Sequence, residues 1–158
     1  MYRRILVPID GSDAASHGLS EALRLAAPWR STIRLLHVVC TDSLSEGHAG
    51  RAEAEGHRRS LEELARNLLS FAASAAGNAG VAIEAQVREL ERGRPASAIL
   101  EDAVSSRCDL IVMGTHGRSG LGHDVIGTNA EEVVRKSPVP VLSVRPAKAP
   151  RRANVSKT

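Results

Sequence analysis

The stretch Asp109–Arg145 (DLIVMGTHGRSGLGHDVIGTNAEEVVRKSPVPVLSVR) limits the fold more than any other part of the chain. Asp109–Gly114 is a short apolar run ending directly on glycine, as an inner strand of a parallel sheet does. Glycines then recur at Gly114, Gly117, Gly120, Gly122 and Gly127. Asn129–Lys136 carries Ala130, Val133 and Val134 at helical spacing and stops before Pro138, and Val139–Val144 supplies a last strand. A strand that opens through glycines onto a helix start makes an anion cradle, because free backbone N–H groups and the positive end of the helix dipole face the incoming charge. This loop is expected to hold the phosphates of a nucleotide, ATP above all.

The rest of the chain repeats the alternation. Arg3–Ile9 reads as a strand running into Asp10-Gly11-Ser12. A helix follows with Ala15, Leu19, Ala22, Leu23 and Ala26 on one face, Ser12 or Asp13 as its N-cap and Pro28 at its close. Thr32–Val39 is a second buried strand and Thr41–Gly50 a polar loop. From Arg51 to about Ala76, Leu61, Leu64, Leu68, Phe71, Ala72 and Ala75 form one helical stripe, ended by Gly77-Asn78-Ala79-Gly80. Val81–Val87 is a third strand. Gly93-Arg94-Pro95 opens a helix with proline in its first turn, and Ile99, Leu100, Ala103 and Val104 are its expected buried face. Five strands alternating with four helices predict an α/β fold, a single doubly wound parallel sheet with helices on both faces. Ligands of such sheets bind beyond the carboxyl ends of the strands, where the strand order reverses. The Pro8–Ser12 loop and the glycine loop both have the chemistry for that place. Pattern alone leaves open whether their strands are neighbours.

At 158 residues the chain suits one domain, expected over residues 1–146 with a basic tail at 147–158. Of 21 basic residues, Arg145, Lys148, Arg151, Arg152 and Lys157 crowd the end, so the body, with 18 acidic residues, is close to neutral. One Phe, one Tyr and one Trp give no stacking surface for bases, which argues against a nucleic-acid partner. Met1-Tyr2-Arg3-Arg4 leads straight into a strand pattern without the look of a signal peptide. No apolar run approaches the roughly 18 residues of a membrane span. A soluble, cytoplasmic protein is the expectation. Cys40 and Cys108 lack metal-ligand spacing and read as buried thiols.

ILVPIDGS at the start, LLHVV at the end of the second strand, and DLIVMGTHGRSG, GT and PVPVLSVR near the end together resemble a universal stress protein domain from Tyr2 to Arg145. The spacing Gly114-x2-Gly117-x9-Gly127-Thr128 is similar to the Gly-x2-Gly-x9-Gly-[Ser/Thr] motif of that family's ATP-binding branch. The resemblance implies a strand order 3-2-1-4-5 of the Rossmann-like, adenine-nucleotide α-hydrolase type, which sets the first and fourth strands side by side. It further implies that Pro8, Ile9 and Asp10 line the adenine and ribose end and that Val38 packs on the adenine. Met113 and Gly114 would border the ribose and α-phosphate. Gly117 would admit the phosphates, and Gly127, Thr128 and Asn129 would donate to the β- and γ-phosphates, with Arg118 as a charge partner. Magnesium, if carried, would be held mainly by the phosphates, and no protein metal site is implied. Relatives pair through the last strand, so a homodimer through Val139–Val144 is expected. Asn129 stands where relatives are usually aliphatic, and His123-Asp124 where they are basic or aliphatic.

Each role has a structural competitor. Asp10 also suits a helix cap, Val38 a core position, and the glycines tight turns with positive φ. His116 has no nucleophile or carboxylate partner in sequence, and His37 suits a half-buried strand position with its hydrogen bonds satisfied. The phosphate-loop lysine is missing, since Gly117-x4-Gly122 runs into His123-Asp124, and no GxGxxG follows the first strand. The expectation is a nucleotide-dependent regulatory protein of the stress response with slow or no ATP hydrolysis, no assigned catalytic residue and an unknown protein partner. The alternatives are a slow ATP hydrolase or nucleotidyl-transfer enzyme, and a binding module for AMP or cyclic AMP.

Overall fold

The computed structural model describes residues 1–40, 51–77, 79–90, 92–115 and 126–145, with the side-chain surroundings of 51–54 outside that description. The expected Thr41–Gly50 loop, His116, Gly117, Arg118, His123-Asp124 and the 147–158 tail lie outside the described residues. Five strands, β1 (Arg4–Pro8), β2 (Thr32–Cys40), β3 (Ala82–Leu90), β4 (Leu110–Gly114) and β5 (Val141–Val144), alternate with α1 (Asp13–Ala26), α2 (Arg51–Ala76), α3 (Pro95–Ser105) and α4 (Thr128–Lys136). The sheet is parallel throughout, in the order β3-β2-β1-β4-β5. The fold class and the strand order expected from the sequence are both present.

Inner strands are apolar on both faces because both faces are covered. Ile5, Val7, Ile9, Ile33, Leu35, Leu110 and Val112 form one core with α1 and Ala72 of α2, whereas Leu6, Leu36, Ile111 and Met113 form the other with α3 and α4. Ser12 caps α1, its Oγ accepting from Ala15 N at 3.1 Å. Pro28 falls in a short 3-10 turn that ends the helix. Strand ends move by at most three residues. β5 begins at Val141 because Pro138 and Pro140 have no N–H to add to a ladder, although the Pro140 carbonyl still accepts from Ile111 N at 3.0 Å. None of the helices among the described residues is long and apolar enough to cross a membrane.

Several expected core positions face solvent. Phe71 is 46% exposed and Ala75 is exposed, because β3 is the edge strand and gives α2 sheet beneath only part of its stripe. Val104 and Val134 are 63% and 50% exposed. Each follows a buried residue, Ala103 or Val133, and a rotation of about 100° per residue carries it off the core face. Polar residues take the neighbouring buried positions, Asp102 in α3 and Glu132 in α4. Cys108 is buried, and burial pushes its thiol pKa up, but Cys40, expected inside, is exposed at the tip of β2.

Candidate functional site

The carboxyl ends of β1, β2 and β4 meet the N-termini of α3 and α4 around a cavity of about 490 Å³. This is the switch point of the sheet, where the chain leaves β1 and β4 in opposite directions.

The β1 wall is held by its neighbour. Ile9 N donates to Leu36 O at 2.8 Å, and His37 Nδ1 lies 2.7 Å from Ile9 O. A carbonyl only accepts, so Nδ1 is the donor in this contact. Pro8, Ile9, Asp10 and His37 all line the cavity. Asp10 is not the helix cap. Its Oδ1 accepts from Ser12 N at 2.9 Å across Gly11, whose φ of +82° lets the chain turn. Ser12, two residues on, does the capping.

Val38, with Val39 and Cys40, forms the β2 wall. Val38 also packs against the α3 and α4 core, as its core reading expects. Met113, Gly114 and Thr115 supply the β4 wall. Gly114 has no positive φ; α1 requires the glycine. A Cβ there would lie 2.5 Å from the Ala14 carbonyl carbon, 2.6 Å from its oxygen and 2.7 Å from its Cβ. Gly18 in α1 faces the same seam, its would-be Cβ 3.2 Å from Gly114 N.

Gly127, Thr128, Asn129 and Ala130 form the α4 wall. Gly127 is the N-cap, extended at φ −61° and ψ 147°, and contributes no capping side chain. Its own N–H, expected to donate to phosphate, donates instead to Thr115 O at 2.8 Å and so pins together the two ends of the glycine loop. The first N–H groups of a helix lack intrahelical partners as a rule. Thr128, Asn129 and Ala130, which carry those of α4, line the cavity at the positive end of the helix dipole.

Nine of the eleven expected binding residues thus surround one space, and Gly117 and Arg118 lie outside the described residues. Ala15, His37, Val39, Cys40, Pro95, Ile99, Thr115 and Ala130 also line it. Of these, Pro95 and Ile99 carry no signal in the sequence; the long crossover from β3 to β4 brings α3 over the site.

The sequence profile of the universal stress protein family matches residues 1–145. The chain belongs to that family. A universal stress protein of Thermus aquaticus is 34% identical over 147 residues, spanning 92% of this chain and all of the relative. A solved structure of a family member from Burkholderia pseudomallei is 30% identical, covers 92% of this chain and 97% of that one, and superposes with a TM-score of 0.68. The crystal structure of a universal stress protein in complex with cAMP, at 23% identity and a TM-score of 0.64 over 91% of this chain and 97% of that one, shares the fold.

Proposed function

We propose that this universal stress protein is a nucleotide-responsive regulatory protein that binds an adenine nucleotide, ATP above all, in the switch-point cavity. The observation that carries the reading is the glycine-capped start of α4, whose first residues, Thr128 and Asn129, line a space bounded at its other walls by Ile9, Val38 and Met113. Amides at a helix start suit phosphate, and the apolar walls suit a base. Asp10 keeps one carboxylate oxygen beyond its bond to Ser12 for donors on ribose or adenine. Structures of family members with cAMP, with dAMP (from Archaeoglobus fulgidus) and with AMP (from Arabidopsis thaliana) share the fold and support the ligand class. Asp10 is the sole carboxylate among the described lining residues, and it is tied to its own loop, which favours binding over bond cleavage. Magnesium would arrive on the phosphates.

Proline at position 128 is a clean test. Gly127 already has the extended backbone that a following proline demands, and the first helical position tolerates proline. Thr128→Pro therefore removes one N–H and the hydroxyl while leaving α4 intact. Equilibrium dialysis with ATP should show affinity reduced roughly 10- to 100-fold, as expected for losing hydrogen bonds to a charged group, with an unchanged melting temperature. Unaltered ATP affinity in the folded variant would remove the phosphate role of α4. Competition of AMP and cyclic AMP against ATP decides between the triphosphate reading and the mononucleotide module.

We also propose a homodimer through β5. Its outer edge is the end of the sheet, with Leu142 36% exposed on it and Val134 of α4 50% exposed. An apolar edge strand of this kind pairs readily with a second copy. Sedimentation at micromolar concentration should give the mass of two chains, and Leu142→Lys should shift it to one. A parent protein sedimenting as one chain rules the dimer out.

A further inference from the structure

Gly93, at a φ of +111°, makes a turn that suits glycine and delivers Arg94 as the N-cap of α3, immediately ahead of the cavity-lining Pro95. Opposite, α4 begins at Thr128. Glu132 stands one turn further on, on the same helix face, and helical side chains lean back toward the N-terminus. Arg94 Nη1 lies 3.4 Å from Glu132 Oε2. Arg94 therefore reaches from the start of α3 to the second turn of α4.

Glu132 does not depend on that contact. Lys136 Nζ lies 2.7 Å from its other oxygen, and that hydrogen bond chiefly holds the carboxyl below its ordinary pKa. The Arg94 side chain is 71% exposed, and its 3.4 Å contact is at the outer limit of a hydrogen bond. An exposed cation thus stands next to the cavity-lining Pro95, across the seam from α4.

We propose that Arg94 leaves Glu132 for the terminal phosphates of the bound nucleotide and sets the preference for triphosphate over monophosphate and nucleoside. This rests on the nucleotide reading of the cavity and adds to it the residue that counts phosphates. The planar guanidinium suits the task, because it can give two parallel N–H bonds to one phosphate. Glu132 acts in the opposite sense, holding the cation back while the site is empty.

Calorimetric titration of the full chain with ATP, AMP and adenosine tests this in the parent, Arg94→Gln, Arg94→Lys and Glu132→Gln, with circular dichroism melts to establish folding. Arg94→Gln should weaken ATP about tenfold and leave adenosine within about twofold, as loss of a charge-assisted hydrogen bond predicts. Arg94→Lys should recover part of the loss, and Glu132→Gln should tighten ATP. If Arg94 only ties α3 to α4, Arg94→Gln and Glu132→Gln will weaken every ligand alike, which overturns the inference. Unchanged ATP affinity in Arg94→Gln, with the parent binding normally, overturns it while sparing the nucleotide reading. A parent that binds neither ATP nor adenosine overturns both.

Discussion

Gly114→Ala is expected to destabilise the protein by about 3 kcal/mol, at the upper end of the cost of overpacking, and to lower its melting temperature by roughly 6–12 °C. The added Cβ would fall 2.5 to 2.7 Å from three atoms of Ala14, two of them backbone. No flexible side chain is there to yield, so α1 itself must lift from β4. Because Ala15 lines the cavity, the lift also disturbs the candidate site. Gly18→Ala, in the same seam, serves as the comparison. Its Cβ would sit 3.2 Å from Gly114 N, tight but adjustable, and removing a mid-helix glycine returns up to about 1 kcal/mol of helix propensity. Thermal or urea unfolding should show a large loss for Gly114→Ala and a small change of either sign for Gly18→Ala. Equal melting of the Gly114 variant and the parent would show that helix and strand do not approach this closely.

Asp102→Ala should cost about 3 kcal/mol or more, the range found when one partner of a buried ion pair is removed. Arg34, from β2, donates from Nε to Asp102 Oδ2 at 2.7 Å and from Nη2 to Oδ1 at 2.9 Å, and the two side chains are 15% and 5% exposed. The hydrogen bond to Asp102 raises the Arg34 pKa above its ordinary value. Without that partner the guanidinium still stays charged, because its intrinsic basicity keeps it protonated in proteins. Glu84, 3.5 Å from Arg34 Nη1, already pairs with Arg4 Nη2 at 2.5 Å and offers only partial relief. Replacing the pair together, as Arg34→Met with Asp102→Leu, should restore most of the stability, since an apolar pair of similar volume leaves no orphaned charge. Urea midpoints decide it: a loss below about 1 kcal/mol in Asp102→Ala would show that Arg34 finds water. The pair also seats α3 on β2, and α3 brings Pro95 and Ile99 to the cavity.

The apolar stretches in DLIVMG and RILVPI, and TIRLLHVV despite its Arg34 and His37, announced inner parallel strands because a sheet covered on both faces buries consecutive residues. The alternation of those strands with helical stripes carried the fold class, and the loops after the first and fourth strands marked the end where a ligand would sit. Asp10 and Gly114 were legible as candidate site residues for that reason, and Met113 and Thr128 through the family resemblance. The helix flanks were not. Val104 and Val134 continue the apolar pattern of their helices, and local spacing cannot tell which side of a stripe the next element covers.

Local order along the chain determined what each segment becomes, since hydrophobic period, caps and glycines act over a few residues. Tertiary structure decided which segments meet. It set Gly114 against Ala14, a hundred residues apart, and so gave that glycine a packing reason that no turn preference reveals. It turned the Gly127 amide inward to Thr115 and set the next residues of α4, Thr128 and Asn129, along the cavity wall. It also brought Arg94 to Glu132 across the α3–α4 seam. Such contacts depend on distances between elements, which are fixed only when the β3-to-β4 crossover closes and both cores fill.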